Sequence, residues 1–240
     1  MSEQSPSLST SVLLLRQMSH EMRTPLAALI NTGDLFAGGM YGKLTEKQQK
    51  AADRVQRTSH RVLTILEDFV SYVKAESMDY PLIDEEFEPR KLIAGVISQI
   101  GNEAKKSTIP IQIMTPDNLP DKIIGDKSAV QRILLALLWN AIAATHHGSI
   151  TISSEWSAEK GWIINIQDTG TGISKEDEEH IFEAFWRGKD RPQVSTSGCG
   201  LGLPLARSLA RVMNGNLVLV KTSAEGSLFS VELFQKLPHL

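Results

Sequence analysis

His20 lies in the stretch MSHEMRTPL, with Glu21 beside it, Thr24 four residues on and Pro25 next after that. An imidazole next to a carboxylate is a set-up for nucleophilic chemistry. The carboxylate accepts the Nδ1 proton, and Nε2 is left to attack an electrophile. Proline has no N–H, so the carbonyl of Glu21 loses its usual helical partner, and the backbone is expected to bend just after the histidine. Met22 belongs to an apolar stripe. His20, two positions back, is roughly 200° away around the helix and points out of that stripe. Thr24 shares the face of His20. The competing reading is a solvated histidine on a charged helical surface, and position alone favours it.

Two glycine patterns downstream carry a different chemistry. QDTGTGIS contains Asp168, Gly170 and Gly172 directly after a predicted strand. A carboxylate at a strand end can accept the exocyclic amine of a purine, and glycines permit close backbone approach to a ligand. SGCGLGLPLA contains Gly198, Gly200 and Gly202 directly before a predicted helix. Amides at a helix N-terminus bind phosphate. Neither pattern is the G-x-G-x-x-G dinucleotide fingerprint, and the chain has no G-x-x-x-x-G-K-[ST] loop, so a nucleotide site here is of another type. Each loop alone also fits a plain turn. Asn140 stands in an otherwise apolar helix. Its amide oxygen suits Mg²⁺, a hard cation that keeps several waters. Alternatively it is a buried asparagine satisfying a backbone group.

These residues need elements to hold them. Residues 11–75 read as two helices. Leu15, Met22 and Leu29 recur every seven in the first, with Met18 and Leu26 beside them; Val55, Val62 and Phe69 recur every seven in the second, with Leu66 and Val73 following. This is a coiled-coil-like stripe on both helices. AGGMYGKLT is the turn between them, and Thr45 with Gln48 forms a capping box for the second helix. Two helices alone bury little, so a second copy is expected to complete a four-helix bundle. ESMDYPLIDEEFEP breaks the pattern as a linker. Beyond it, RKLIAGVISQI and KSAVQRILLALLWNAIAAT read as helices. IPIQIM, KIIG, GSITISSEW, GWIINIQD, NLVLV and SLFSVELF read as strands. Helices mixed with antiparallel strands predict an α/β sandwich with the helices on one face of the sheet. The fold class is therefore α+β, and the divisions are a disordered leader 1–10, a hairpin 11–76, a linker 77–88 and a nucleotide domain 89–240.

Composition narrows the partners. The net charge is −3, from 25 basic and 28 acidic residues, which gives no electrostatic reason to expect nucleic acid. The single cysteine, Cys199, cannot form an internal disulfide, so a reducing compartment is the default. The longest apolar run, residues 133–144, is about two-thirds of the length needed to span a bilayer and contains Asn140. MSEQSPSLST lacks the apolar core of a signal peptide. The chain reads as cytoplasmic, either by itself or as the cytosolic part of something larger.

Taken together, the motifs resemble those of sensor histidine kinases of two-component systems, over nearly the whole chain. SHEMRTPL is similar to the family's H-box, DKSAVQRILLALLWNAI to its N-box, DTGTGI to its G1 box, IFEAFWRG to its F-box and GCGLGLPLAR to its G2 box. EGSLF resembles the last glycine–hydroxyl element, with Ser227 where threonine is usual. The resemblance implies a dimerising phosphotransfer hairpin joined to a Bergerat-type ATP-binding domain. It makes His20 the phosphoacceptor, Glu21 its general base, and Thr24 the residue that orients water in the reverse phosphatase reaction on a response regulator. It makes Asp168 the adenine ligand, Asn140 the Mg²⁺ ligand, and Gly170, Gly172, Leu201 and Ser227 further ATP-binding residues. It makes Gly198, Gly200 and Gly202 the anchor of a lid over the phosphates of ATP, with KDRPQVSTS as the mobile segment. Phe182 and Phe185 either pack the lid's base or belong to the ordinary core. The implied partners are a second copy of the chain and a receiver domain of a response regulator.

Departures from the family pattern fall in the N-box. A second asparagine is usual four residues before Asn140, where Ala136 stands, and a lysine is common three residues after, where Ala143 stands. Both positions share the helical face of Asn140. Losing a charge-assisted phosphate contact costs ~1.5–3 kcal/mol, roughly ten- to hundredfold in affinity. Weaker nucleotide binding is expected, with Arg132, Lys175, Arg187 and Arg191 as the nearby cations that stand to compensate. The leading reading is an autokinase that passes phosphate from His20 to a response regulator. A second is a weak kinase acting mainly as a phosphatase or nucleotide-gated scaffold. A third, an ATPase driving conformational change, is disfavoured by the hairpin.

Overall fold

The computed structural model describes residues 8–107, 109–116, 118–157, 159–188, 199–234 and 236–237; the side chains of residues 8–16, 20 and 102–107 lie outside that description. The chain divides into two compact units, Met1–Ser77 and Met78–Leu240.

The first unit is a helical hairpin of α1 (Leu8–Ala37) and α2 (Glu46–Glu76). Leu8 to Thr10, read as leader, already belong to α1, while the rest of that leader lies outside the described residues. α1 is continuous across Pro25. The capping box forms: the Gln48 amide donates to Thr45 Oγ1 at 3.4 Å, and the Thr45 amide donates to Gln48 Oε1 at 2.9 Å. Small residues line the inside of the hairpin. Ser19, Ile30, Ser59 and Ala75 are buried, and a Cβ on Gly33 would stand 3.1 Å from that of Gln56. Arg23 crosses to Glu67 at 3.3 Å. Part of the heptad stripe faces elsewhere: Met18 is 56% exposed, Met22 43%, Leu29 48%, Val55 48% and Val62 39%, while Leu26, Leu66, Phe69 and Val73 are half-buried. Apolar side chains of this size on one face of a hairpin are left for another surface to cover.

The second unit contains, in chain order, β1 (Glu85–Phe87), α3 (Pro89–Ser107), β2 (Ile111–Met114), β3 (Ile123–Gly125), α4 (Lys127–Ala144), β4 (Ile150–Ser157), β5 (Gly161–Asp168), α5 (Lys175–Glu178), α6 (Gly202–Val212), β6 (Asn216–Ser223) and β7 (Gly226–Leu233). Five strands form one sheet in the order β2-β4-β5-β7-β6. The expectation of purely antiparallel strands is corrected at one edge, where β2 runs parallel to β4. The reason is the connection: α4 intervenes between β2 and β4, and a crossover of that length permits parallel pairing where a hairpin does not. β1 and β3 pair separately as a two-stranded antiparallel sheet.

Alternation along the strands builds the core. Ile150, Ile152, Ile164, Ile166, Phe229, Val231 and Leu217 are register partners on one face, and all are buried. α4 lies against β5 and β7, and α6 against β6 and β7. α4 buries eight residues, among them Ile133, Leu134, Leu137 and Leu138, which accounts for its apolar run without any membrane. Among the described residues, no helix is long and apolar enough to cross a bilayer.

The stretch read as linker, residues 77–88, is partly built into this unit. The Ile83 amide donates to Asp126 Oδ2 at 3.1 Å, while Asp126 Oδ1 accepts the Ala129 amide at 2.8 Å and caps α4. Lys236 reaches Asp84 at 3.3 Å, and residues 85–87 are β1. The Ile83 bond, the Asp84–Lys236 pair and the pairing of β1 with β3 tie residues 83–87 to the sheet domain.

Candidate functional site

The loop after β5 is held by three elements. Asp168 ends β5 and is 2% exposed. Its Oδ1 accepts the Gly170 amide at 2.9 Å and the Ser227 amide at 3.3 Å. A carboxylate oxygen accepting two amides is held in one orientation. The Thr171 amide donates to the carbonyl of Ala144 at 3.2 Å, which seats the loop on the C-terminal end of α4. Gly170 lies so close to the Ala144 carbonyl that a Cβ there would collide with it. Gly172 has φ +70°, and its Cβ would run into the Ser223 carbonyl of the β6–β7 turn. A side chain at Gly172 is excluded both by conformation and by space.

The second glycine loop is built on the start of α6. Leu201 is 1% exposed at the N-cap and makes no side-chain cap, so the first-turn amides of α6 are not satisfied by their own cap residue. Gly200 has φ +82°, its carbonyl accepts the Phe185 amide at 3.0 Å, and a Cβ there would press on the backbone of Phe185 and Trp186. A Cβ on Gly202 would stand 3.7 Å from that of Ala136, so the α4 ridge does face the glycine loop, and does so with a methyl group. Gly198, Arg191 and the KDRPQVSTS segment lie outside the described residues.

The two F-box aromatics have different environments. Phe182 packs into the body: the Arg207 guanidinium lies 4.5 Å over its ring, and Phe229 meets it edge-on at 6.4 Å. Phe185 is 55% exposed and holds φ +66°, a conformation costing on the order of 1 kcal/mol for a non-glycine residue. His180 stacks against Trp186 at 4.6 Å and bonds Glu183 at 2.8 Å through Nδ1. The hydrogen bond to Glu183 raises its pKa above the usual histidine value.

Asn140 is half-buried on α4, with Ala136 and Ala143 likewise half-buried. Among the described residues, no three His, Cys, Asp or Glu side chains gather as metal donors. The donor set fits an ion that arrives with a nucleotide: one amide oxygen from Asn140, with phosphates and waters supplying the rest. Arg132 and Arg187 each have a partner of their own.

On the hairpin, His20 lies within α1, and its side chain is outside the description. Glu21 is exposed and accepts a bond from Gln17 Nε2 at 3.4 Å. Thr24 is exposed. The structure thus gathers Asp168, Gly170, Gly172 and Ser227 at one end of the second unit, and Gly200, Leu201 and Gly202 beside α4. Sequence reasoning missed Ile173, Thr222 and the Ala144 carbonyl, all of which hold the G1 loop in place. Only the hydroxyl pair in KTSAEGS hinted at the second of these.

Comparison with known proteins matches both units. Residues 12–77 fit the family described as His Kinase A (phospho-acceptor) domain. Residues 125–237 fit the family described as Histidine kinase-, DNA gyrase B-, and HSP90-like ATPase. The sensor protein TorS of Escherichia coli K12 is 30% identical over 91% of the chain, which covers 23% of that protein. The non-motile and phage-resistance protein of Caulobacter vibrioides is 31% identical over 91% of the chain, covering 26% of that protein. The full-length ShkA crystal structure, solved in complex with AMPPNP, shares the fold with a TM-score of 0.79 at 24% identity, over 95% of this chain and 46% of that one. The chain spans only about a tenth to a quarter of the length of the curated relatives it matches.

Proposed function

The chain belongs to the sensor histidine kinases of two-component systems, and from that premise we propose that it is an ATP-dependent autokinase acting on His20. One observation carries the nucleotide reading. A buried carboxylate, Asp168, is fixed by two amides beneath a glycine loop, in the same domain as a helix whose N-cap supplies no side-chain bond. The first feature suits the amine of adenine, and the second suits phosphate. Mg²⁺, when bound with ATP, neutralises phosphate charge, and Asn140 is the residue that would hold it.

In the proposed reaction the His20 Nε2 lone pair forms a bond to the γ-phosphorus. The bond from that phosphorus to the bridging oxygen breaks, and ADP leaves with the electron pair. Glu21 takes the Nδ1 proton. The protein's part is mostly positioning and charge neutralisation. The phosphoryl group then passes to an aspartate of a response-regulator receiver domain, and Thr24 orients water in the reverse, phosphatase reaction. The exposed heptad stripe is the surface for a second copy, which completes a four-helix bundle. A reaction that draws on ATP supports a cytoplasmic setting, for the chain by itself or as the cytosolic part of a larger, membrane-bound sensor. The domain reading that follows is a phosphotransfer hairpin to residue 76 and an ATP-binding domain from residue 89, with the intervening stretch anchored to the latter.

A second reading is favoured by the methyl group of Ala136 against the glycine loop: a weak kinase acting mainly as phosphatase or nucleotide-gated scaffold. Incubation with γ-labelled Mg-ATP distinguishes the two. The autokinase yields acid-labile phosphate that disappears in His20→Ala. Ala136→Asn is expected to raise nucleotide affinity about tenfold by restoring one polar contact. No label on the wild type, together with Thr24-dependent dephosphorylation of a receiver domain, overturns the kinase reading in favour of the second.

A further inference from the structure

The register of β6 against β7 changes within the strand. Leu217 pairs with Val231 and Leu219 with Phe229, but Lys221 pairs with Leu228 and Thr222 with Ser227. Val220 is the extra residue, and it is 53% exposed. Successive side chains on a strand point to opposite faces. Leu217 is buried against the helices, so a regular strand would send residue 221, a lysine, to that face and turn Thr222 outward. The bulge reverses the order, as bulges do when they re-aim a side chain next to a site.

Thr222 thereby enters the G1 region. Its Oγ1 accepts the Ile173 amide at 2.8 Å and stands 3.0 Å from Ser227 Oγ. Ser227 is 3% exposed, and its amide donates to Asp168. We propose that Thr222 is a specificity-determining residue of the nucleotide site, placed there by the Val220 bulge. Either hydroxyl of the pair can be the donor; in the proposed arrangement Thr222 donates to Ser227 Oγ, which leaves the Ser227 proton for the purine. A donor beside the Asp168 acceptor matches the edge of adenine, which offers an amine at C6 and an acceptor at N1. It mismatches guanine, whose O6 accepts and whose N1 carries hydrogen. Thr222 acts through Ser227 and is a positioning residue rather than a catalytic one. The inference rests on the reading of Asp168 as the adenine acceptor.

The test is equilibrium binding of ADP and of GDP to the full chain, wild type beside Thr222→Val, Thr222→Ser and Ser227→Ala. Wild type is expected to prefer ADP. Thr222→Val is expected to lose about tenfold in ADP affinity with little change for GDP, because a buried hydroxyl loses its partner. Thr222→Ser restores the ADP preference. Ser227→Ala loses it, and adding Thr222→Val to Ser227→Ala costs nothing more, since the two residues act as one unit. An unchanged ADP-to-GDP ratio in Thr222→Val, or additive losses in the double variant, overturns the inference while wild-type ADP binding leaves the nucleotide site standing. A wild type that binds ADP no better than GDP removes both.

Discussion

The two units solve the problem of burial in opposite ways. The sheet domain closes a core of its own: Trp162, Phe229, Ile133, Ile164 and Val231 are all at 2% exposure or less. The hairpin buries chiefly small or polar side chains, Ser19, Ser59 and Ala75 with Ile30, and leaves Met18, Met22, Leu29, Val55 and Val62 largely in solvent. Both carry apolar residues for a core, but among the described residues only the sheet domain closes one within a single chain, while Leu66, Phe69 and Val73 of the hairpin stay half-buried. A domain that leaves its heptad face uncovered depends for its stability on concentration and on whatever pairs with it. A domain with a closed core does not.

The sharpest way to break this contrast is on the hairpin face. Met22→Glu combined with Val62→Glu removes roughly 4 kcal/mol of burial from a dimer, about a thousandfold in association, before the cost of four buried charges. Sedimentation should show monomer, with the sheet domain's melting unchanged. A dimer that survives both substitutions would mean that another surface pairs the chains. In the sheet domain, Ile164→Ala is expected to cost ~2–5 kcal/mol through the cavity it leaves. The urea midpoint of that domain should fall, at any protein concentration, while self-association persists. An effect that varied with concentration would erase the distinction between the units.

The smallest effect concerns His180. Its bond to Glu183 raises its pKa, and Glu179 and Asp177 add to this. A raised value means that the pair's contribution to stability is fully present below the ordinary histidine range and is lost as pH rises through the raised value. An NMR titration should place the His180 midpoint above the ordinary value, and Glu183→Gln should lower it. Because the ring is well exposed, the effect on folding is slight. Identical midpoints in the two proteins would show that the bond does not persist in solution.

Local chemistry was the legible part of this molecule. The Thr45–Gln48 cap, the alternation of β4 and β5, and the glycines flanking Asp168 all depend on neighbours in sequence. What escaped depends on pairing across distance. Nothing in IPIQIM says whether its partner runs parallel, and nothing in NLVLVKTS marks Val220 as the residue left out of the ladder. The heptads signalled helices and a seam, but not that the hairpin's own interior would be lined by serine and glycine instead. The fold class could be read ahead of the structure because it follows from element order. The aim of Thr222 could not, because one inserted residue decides which face a side chain takes.

The anchoring of residues 83–87 has a kinetic meaning as well. α2 is capped at Ser77, and Ile83 is already fastened beside α4, so only residues 78–82 remain as tether between the units. Fully extended, that tether spans about 20 Å. Short tethers hold the groups they join at effective concentrations in the millimolar range, far above those of free proteins in solution. Asp84 and β1 are fastened to the same domain, so the short leash does not hang on the Ile83 bond alone: cutting that bond would lengthen it by about one residue and leave the effective concentration nearly as it was.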